Sequence, residues 1–296
     1  MKHKSWFRIL LVLLSGCLLL QAEVRNVIIV VIDGARWQST FDAGVTYTPR
    51  MRNQLRRKGT LYSEFYNEGL TITVSGHSSI LTGTWQRLRN DGSEHPTKPT
   101  LFEYFRKSTG LPDSTAYVIA GCNKLACLTH SSAPDYGEPF AACALTNEFT
   151  GDLETYANLK RIMQTRQPRL ILVNLKEVDH MGHSGGLYPY HRALTQADSL
   201  VFLIWQDIQT LPAYRNQTAL FITADHGMHE VNPTQLSHGD NCDFCQHIFL
   251  LALGVEIPKN KTVKTHHTQR DLAPTIGKLM GFPTPQTEGG LLLKKK

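Results

Sequence analysis

Val27-Ile28-Ile29-Val30-Val31-Ile32 is an unbroken apolar, largely β-branched run that ends directly in Asp33-Gly34. A strand with one wet face would alternate polar and apolar residues. A run with no polar face predicts a strand covered on both sides. Residues 116–120, 170–175, 219–223 and 248–253 read in the same way. Helical stretches fall between these runs. Residues 49–58 open at Pro49 and close at Gly59, and 99–108 open at Pro99 and end near Gly110. Within 188–210, Tyr190, Leu194, Ala197, Val201 and Ile204 recur at helical spacing. Residues 268–280 form a last helix, closed by Gly281 and Pro283. Strands alternating with helices predict an α/β fold with a mostly parallel central sheet and helices on both faces. No repeat, linker or low-complexity segment interrupts the pattern, so residues 23–296 read as one domain.

The chain has 296 residues, 41% of them hydrophobic, which is enough for one large domain or at most two small ones. With 22 glycines and 14 prolines it is neither disordered nor collagen-like. The formal net charge of +6 overstates the charge of the body. Lys2, Lys4 and Arg8 lie in an acid-free leader, and Lys294, Lys295 and Lys296 supply the rest of the excess. A near-neutral body gives no electrostatic reason to expect nucleic-acid duplex binding.

Residues 1–22 read as a signal peptide, with a basic start and an apolar stretch from Ile9 to Leu20. Two processing routes stay open. Leu14-Ser15-Gly16-Cys17 fits a lipobox, which would make Cys17 a lipid-modified N-terminus and tie the protein to a membrane. Leu18-Leu19-Leu20 prolong the apolar run, which suits cleavage after Ala22 instead. Either route, or an uncleaved anchor, predicts an exported protein, periplasmic or attached to the cell envelope. In an oxidising compartment the remaining five cysteines predict disulfides. Cys242 and Cys245 are close enough to pair, and Cys122 has Cys127 or Cys143 as partner. A zinc ribbon would need a second CxxC, and there is none, so the expectation is a disulfide rather than a cysteine zinc site.

In α/β sheets the chemistry lies beyond the carboxyl ends of the strands. Asp33 follows the first strand. Asp225-His226-Gly227 follows the strand at 219–223, and Asp179 and His183 follow the strand at 170–175. A single Asp after a strand is commonly a turn or cap residue. Three strand-end carboxylates, two with a histidine, instead form the oxygen-and-nitrogen ligand set of zinc or, less often, manganese. Thr71-Ile72-Thr73-Val74-Ser75-Gly76-His77 adds hydroxyls at the start of a short helix. They can serve as N-caps (Thr73 or Ser75), or one can be a nucleophile.

Taken together, these pieces resemble the alkaline phosphatase superfamily, in its nucleotide pyrophosphatase/phosphodiesterase-like and sulfatase-like branches, from about Asn26 to Pro285. Val31-Ile32-Asp33-Gly34 resembles its first ligand strand, and Thr73 through Gly83 its nucleophile helix. Asp179-x-x-x-His183, Thr223-Ala224-Asp225-His226-Gly227 and His238-Gly239-Asp240-Asn241 resemble three further ligand motifs. Asp271-Leu272-Ala273-Pro274-Thr275 is similar to its last helix.

The resemblance implies an alkaline-phosphatase-like fold and two divalent metal ions, Zn²⁺ or Mn²⁺. One would be held by Asp33, Asp225, His226 and the Thr73 oxygen, the other by Asp179, His183 and His238. His229, His247, His266 and His267 are neighbours that could take the place of His238, while His77, His180 and His229 read as supporting or surface residues. It further implies that Thr73 attacks phosphorus, with Asn90 and the Val74 N–H as donors to the transferred group and Lys124 as a further contact. The expected activity is hydrolysis of a small-molecule phosphate ester, mono- or diester, through a phospho-threonine. A sulfate-ester or phosphonate hydrolase would share every ligand, and a binding protein could keep the fold without the chemistry. Thr73 stands where formylglycine sulfatases need Cys or Ser, which argues against that class. Only eleven residues separate His226 from His238, where the diesterases carry a long insertion, so the pocket is expected to be open.

Overall fold

The structure is a computed structural model describing residues 24–42, 44 and 46–293. The leader, Cys17 and the terminal lysines lie outside the described residues. Among the described residues there are eleven strands: β1 Asn26–Ile32, β2 Gly59–Tyr66, β3 Ala116–Ala120, β4 Cys143–Thr146, β5 Leu170–Leu175, β6 Thr218–Thr223, β7 His229–Asn232, β8 Gln235–Ser237, β9 His247–Gly254, β10 Lys261–Val263 and β11 His267–Thr268. The α-helices are α1 Trp37–Thr40, α2 Thr73–Thr82, α3 Leu101–Thr109, α4 Asp152–Thr165, α5 Glu177–Gly185, α6 Leu187–Thr210, α7 Asp243–Gln246 and α8 Leu272–Met280.

Nine strands form one sheet in the order β10-β2-β9-β6-β1-β5-β3-β4, with β11 also on β2. β1 is central and pairs in parallel with β5 and β6. Every residue of β1, β3, β5 and β6 is buried, as apolar runs without a polar face require. The mostly parallel α/β sheet expected from the sequence is therefore present. The run at 248–253 departs from that pattern, because β9 is antiparallel to both β2 and β6. This reversal has a consequence for the site. An antiparallel strand delivers the segment before it, rather than after it, to the edge where β1, β5 and β6 end.

The helices follow the expected ranges with local differences. Residues 51–55 wind as a π turn and 56–58 as a 3-10 turn rather than as one α-helix. α3 starts after Thr100, which forms a reciprocal capping box with Glu103, so Pro99 precedes the cap. Thr268 and Asp271 make the same box ahead of α8, across a 3-10 turn. No helix among the described residues is long and apolar enough to cross a membrane.

Candidate metal-binding and nucleophile site

Strand register sets the first cluster. Val31 is opposite Thr223, so Asp33 and Asp225 each stand two residues past a paired position on the same edge. Gly34 turns the chain there at φ +72°, and a Cβ on it would press on Asp179 and Met228. Its N–H donates to Asp225 Oδ1 at 3.1 Å, and Tyr190 donates its hydroxyl to the Gly34 carbonyl at 3.0 Å. His226 Nε2 lies 3.3 Å from Asp225 Oδ2 and 3.6 Å from Asp33 Oδ1. All three side chains are buried.

The second cluster comes from two other elements. Asp179 and His183 are four apart on α5, one helical turn, so their side chains meet: His183 Nε2 is 3.4 Å from Asp179 Oδ1. His238, just past β8, reaches the same oxygen with Nε2, also at 3.4 Å. Its Nδ1 is 2.9 Å from the Thr71 carbonyl, which fixes the ring. The His226 and His238 rings stack with centroids 3.8 Å apart, linking the two clusters. The Asp33–Asp225–His226 cluster is sealed, whereas His183 is 39% exposed, so the second cluster opens to solvent.

Burial opposes charge on all three carboxylates, and their neighbours offset it unequally. Burial, and then the neighbouring Asp225 and Asp179 carboxylates, push Asp33 well above the ordinary carboxyl range; Lys124 and Asn174 pull the other way. Burial also opposes charge on Asp225, but His226, His77 and the Gly34 N–H hold it below its ordinary value. Asp179 is likewise opposed by burial but lowered by its contact with His183 and by His226 and His238. His183 is raised by the facing Asp179 carboxylate. Burial, and then His226, lower His238 to about 4.

Asp33 Oδ1, Asp225 Oδ2, Asp179 Oδ1 and His226 Nε2 are buried with no hydrogen-bond partner. Leaving one such group unsatisfied costs about 1–3 kcal/mol, more if charged. Four around one locus fit bound cations. Their spacing fits too: ligands about 2.1 Å from a tetrahedral ion lie roughly 3.3–3.5 Å from one another.

Thr73 is the first residue of α2 and is 1% exposed. Ile72 occupies the cap position and there is no side-chain cap, so Thr73 does not serve as a cap. Ser75 does not cap either; its hydroxyl bonds the Leu88 N–H at 3.1 Å. His77 Nδ1 lies 2.9 Å from the Thr73 carbonyl and 3.3 Å from Asp225 Oδ2, tying the helix start to the sealed cluster. The Val74 N–H, expected to face the transferred group, instead donates to Asn90 Oδ1 at 3.0 Å. That bond orients the exposed Asn90 amide and leaves its NH₂ as the available donor. Lys124 is partly buried, and its charge acts on Asp33 and His183.

Several supporting residues escape a reading by motif. Asn174 is the one polar residue inside the apolar β5, and its Nδ2 donates to Asp33 Oδ2 at 3.1 Å. Its isolation in that strand was the available signal. Asn67 and Gln269 each donate to the Asp225 carbonyl at 2.7 Å, with no local signal in the sequence. Buried Asp152 accepts the Lys176 N–H at 2.8 Å and so anchors the start of α5. The disulfides expected of the cysteines are not formed: Cys122, Cys127, Cys143, Cys242 and Cys245 are all free. Cys122 faces Asn174 at 3.6 Å, and Cys242 and Cys245 both turn to His229.

Residues 91–266 match the type I phosphodiesterase / nucleotide pyrophosphatase family, a range that contains Lys124, Asp179, His183, Asp225, His226 and His238. A stretch of 131 residues is 28% identical to GPI ethanolamine phosphate transferase 2 of Candida albicans, taking in 42% of this chain and 15% of that protein. The chain thus spans a small part of the length of that relative. The fold is similar to murine ectonucleotide pyrophosphatase/phosphodiesterase 5 in an inactive form in complex with AMP (TM-score 0.70, 14% identity, 90% of this chain and 97% of that one). It is also similar to the phosphonate monoester hydrolase of Agrobacterium radiobacter (TM-score 0.66, 15% identity, 90% and 76%). The matched range covers more than half of the sequence, so the chain belongs to the type I phosphodiesterase / nucleotide pyrophosphatase family.

Proposed function

We propose that this chain is an exported hydrolase of small phosphate esters, mono- or diesters, working as one domain over residues 23–296 through a phospho-threonine at Thr73. The observation that carries this reading is the set of buried ligand atoms of Asp33, Asp225, Asp179 and His226 that lack a hydrogen bond, tied through His77 to a helix-start threonine that caps nothing. Asp33, Asp225, His226 and the Thr73 hydroxyl would hold one divalent ion, and Asp179, His183 and His238 a second, Zn²⁺ or Mn²⁺. When bound, the ions supply Lewis acidity, which makes a threonine alkoxide accessible and offsets charge on the phosphoryl oxygens.

The residues do the rest. His77 holds the Thr73 backbone against Asp225. The Asn90 NH₂ and the Lys124 ammonium meet the non-bridging oxygens. Thr73 Oγ bonds to phosphorus as the ester oxygen leaves, and water then breaks the threonine P–O bond. The murine relative supports the choice of nucleophile, because its inactive form is a threonine-to-alanine substitution. Export rests on the leader at 1–22, membrane attachment on Cys17 alone, and duplex nucleic acid is not an expected partner.

The test is a hydrolysis panel on the mature chain with added Zn²⁺ or Mn²⁺: aryl phosphate monoester, phosphate diester, sulfate ester and phosphonate. Thr73→Ala is assayed beside the parent. Phosphate-ester turnover that collapses in Thr73→Ala is the expected result. Turnover confined to sulfate or phosphonate would replace the substrate class, and neither turnover nor bound metal would make the chain a binding protein of this fold.

A further inference from the structure

His229, Asp240, Cys242 and Cys245 form a compact cluster at one side of the site, with one ligand atom from each lying within 4.8 Å of the others. They come from different segments. His229 opens β7, Asp240 lies in the loop after β8, Cys242 precedes α7 and Cys245 lies within it. His229 Nδ1 is 3.2 Å from Cys245 Sγ, 3.6 Å from Cys242 Sγ and 3.5 Å from Asp240 Oδ2. A single ring nitrogen has at most one proton, so His229 bonds one of these three neighbours at a time; the Cys245 thiol also reaches the Ser237 carbonyl, at 4.0 Å. Ligands about 2.0–2.3 Å from a tetrahedral ion lie roughly 3.3–3.8 Å apart, which is the spacing around His229. The Cys242 N–H donates to Asp240 Oδ1 at 3.1 Å, which leaves Oδ2 turned toward the cluster. Cys245 is fully buried.

We infer that His229, Asp240, Cys242 and Cys245 bind a structural Zn²⁺, separate from the Asp/His site and not needed for the phosphoryl chemistry itself. Two thiolates with an imidazole and a carboxylate favour zinc over harder cations. Four protein ligands close the coordination sphere, as in structural rather than catalytic sites. Binding releases the two thiol protons to solvent. The ion fastens the segment after His226 to the segment after His238. The Gly227 N–H already donates to the Cys245 carbonyl across that seam at 2.8 Å. It is therefore a clamp on two residues of the candidate site, built where a disulfide was expected.

Cobalt substitution of the full chain tests this directly. Only cysteine ligation gives sulfur-to-cobalt charge-transfer absorption in the near ultraviolet; Asp, His and Thr ligands cannot. The expected result is such a band in the parent, weakened in Cys242→Ser and in Cys245→Ser and lost in the double variant. Zinc content should fall by one ion per chain in the double variant, while the metal at the Asp/His site remains. His229→Ala, which leaves both thiols in place, should weaken cobalt affinity and shift the band. Absence of the band from the folded, reduced parent would overturn the inference, whatever the variants do. So would a Cys242–Cys245 disulfide, read as a loss of two hydrogens by mass spectrometry, in protein isolated with zinc present.

Discussion

Gly76 lies on α2 where the helix backbone touches the Asp225 segment. A Cβ placed there would sit 3.0 Å from Asp225 Cβ and closer still to the Asp225 carbonyl oxygen, against an ordinary contact that begins at 3.4 Å. That carbonyl is already pinned by Asn67 and Gln269, so it has little room to move. Gly76→Ala must therefore slide the start of α2, with Thr73, away from Asp225 by most of an ångström, about 1 Å.

Two energies compete in stability. Overpacking costs about 1–3 kcal/mol, and replacing a mid-helix glycine by alanine returns about 1 kcal/mol. The net loss is about 0–2 kcal/mol, and the protein stays folded. Activity is the more sensitive quantity, because about 1 Å of misplacement at a reacting atom costs on the order of 100-fold. The assay is kcat/KM on whichever panel substrate the parent turns over, with urea unfolding alongside. Gly110→Ala is the control. That glycine has φ +67° and nothing near its would-be Cβ, so it should lose about 1 kcal/mol and no activity. A Gly76→Ala enzyme within threefold of the parent, at equal metal content, would refute the reasoning.

Two further outcomes follow from buried polar contacts. Asn174→Ala removes the donor that holds Asp33 Oδ2 and should weaken metal binding about 10–100-fold, read by Zn²⁺ competition with a chromogenic chelator. An unchanged affinity would mean that Asp33 is oriented by the strand alone. Burial, and then Glu177, raise Asp152 to about 7. Its unfolded value is about 3.9, so between those pH values the native state holds a proton that the unfolded state has lost. Asp152 therefore makes stability fall as pH rises from about 4 to 7, with no further change above that. Asp152→Asn removes this component. Relative to the parent, the variant should gain on the order of a few kcal/mol between pH 5 and pH 8 in urea titrations. Parallel pH profiles for the two proteins would show that Asp152 is not the group responsible.

Much of this molecule is legible locally. Unbroken apolar runs can only be strands covered on both faces, which made β1, β3, β5 and β6 readable to within a residue. An aspartate just past the end of such a strand lands on the functional edge whatever the loops do, so Asp33 after β1 and Asp225 after β6 were legible from position alone. Asp179 and His183 needed only helical spacing. His238 needed the resemblance, because nothing in its own segment says that the strand after it runs backwards.

That reversal is a matter of pairing: β9 lies antiparallel between β2 and β6, and β2, with Thr60, Ser63 and Glu64 in its length, has no apolar run to announce it. The tertiary structure alone decided which buried amides hold Asp33 and the Asp225 carbonyl. It alone showed that Thr73 is not a cap and that the Val74 N–H is taken by Asn90. It alone brought Cys242 and Cys245 to a histidine thirteen and sixteen residues earlier, with both thiols left free. Burial pattern is a property of consecutive residues and survives in one dimension. The partner of a polar atom is fixed only once distant segments are packed together, and the sequence carries no local trace of it.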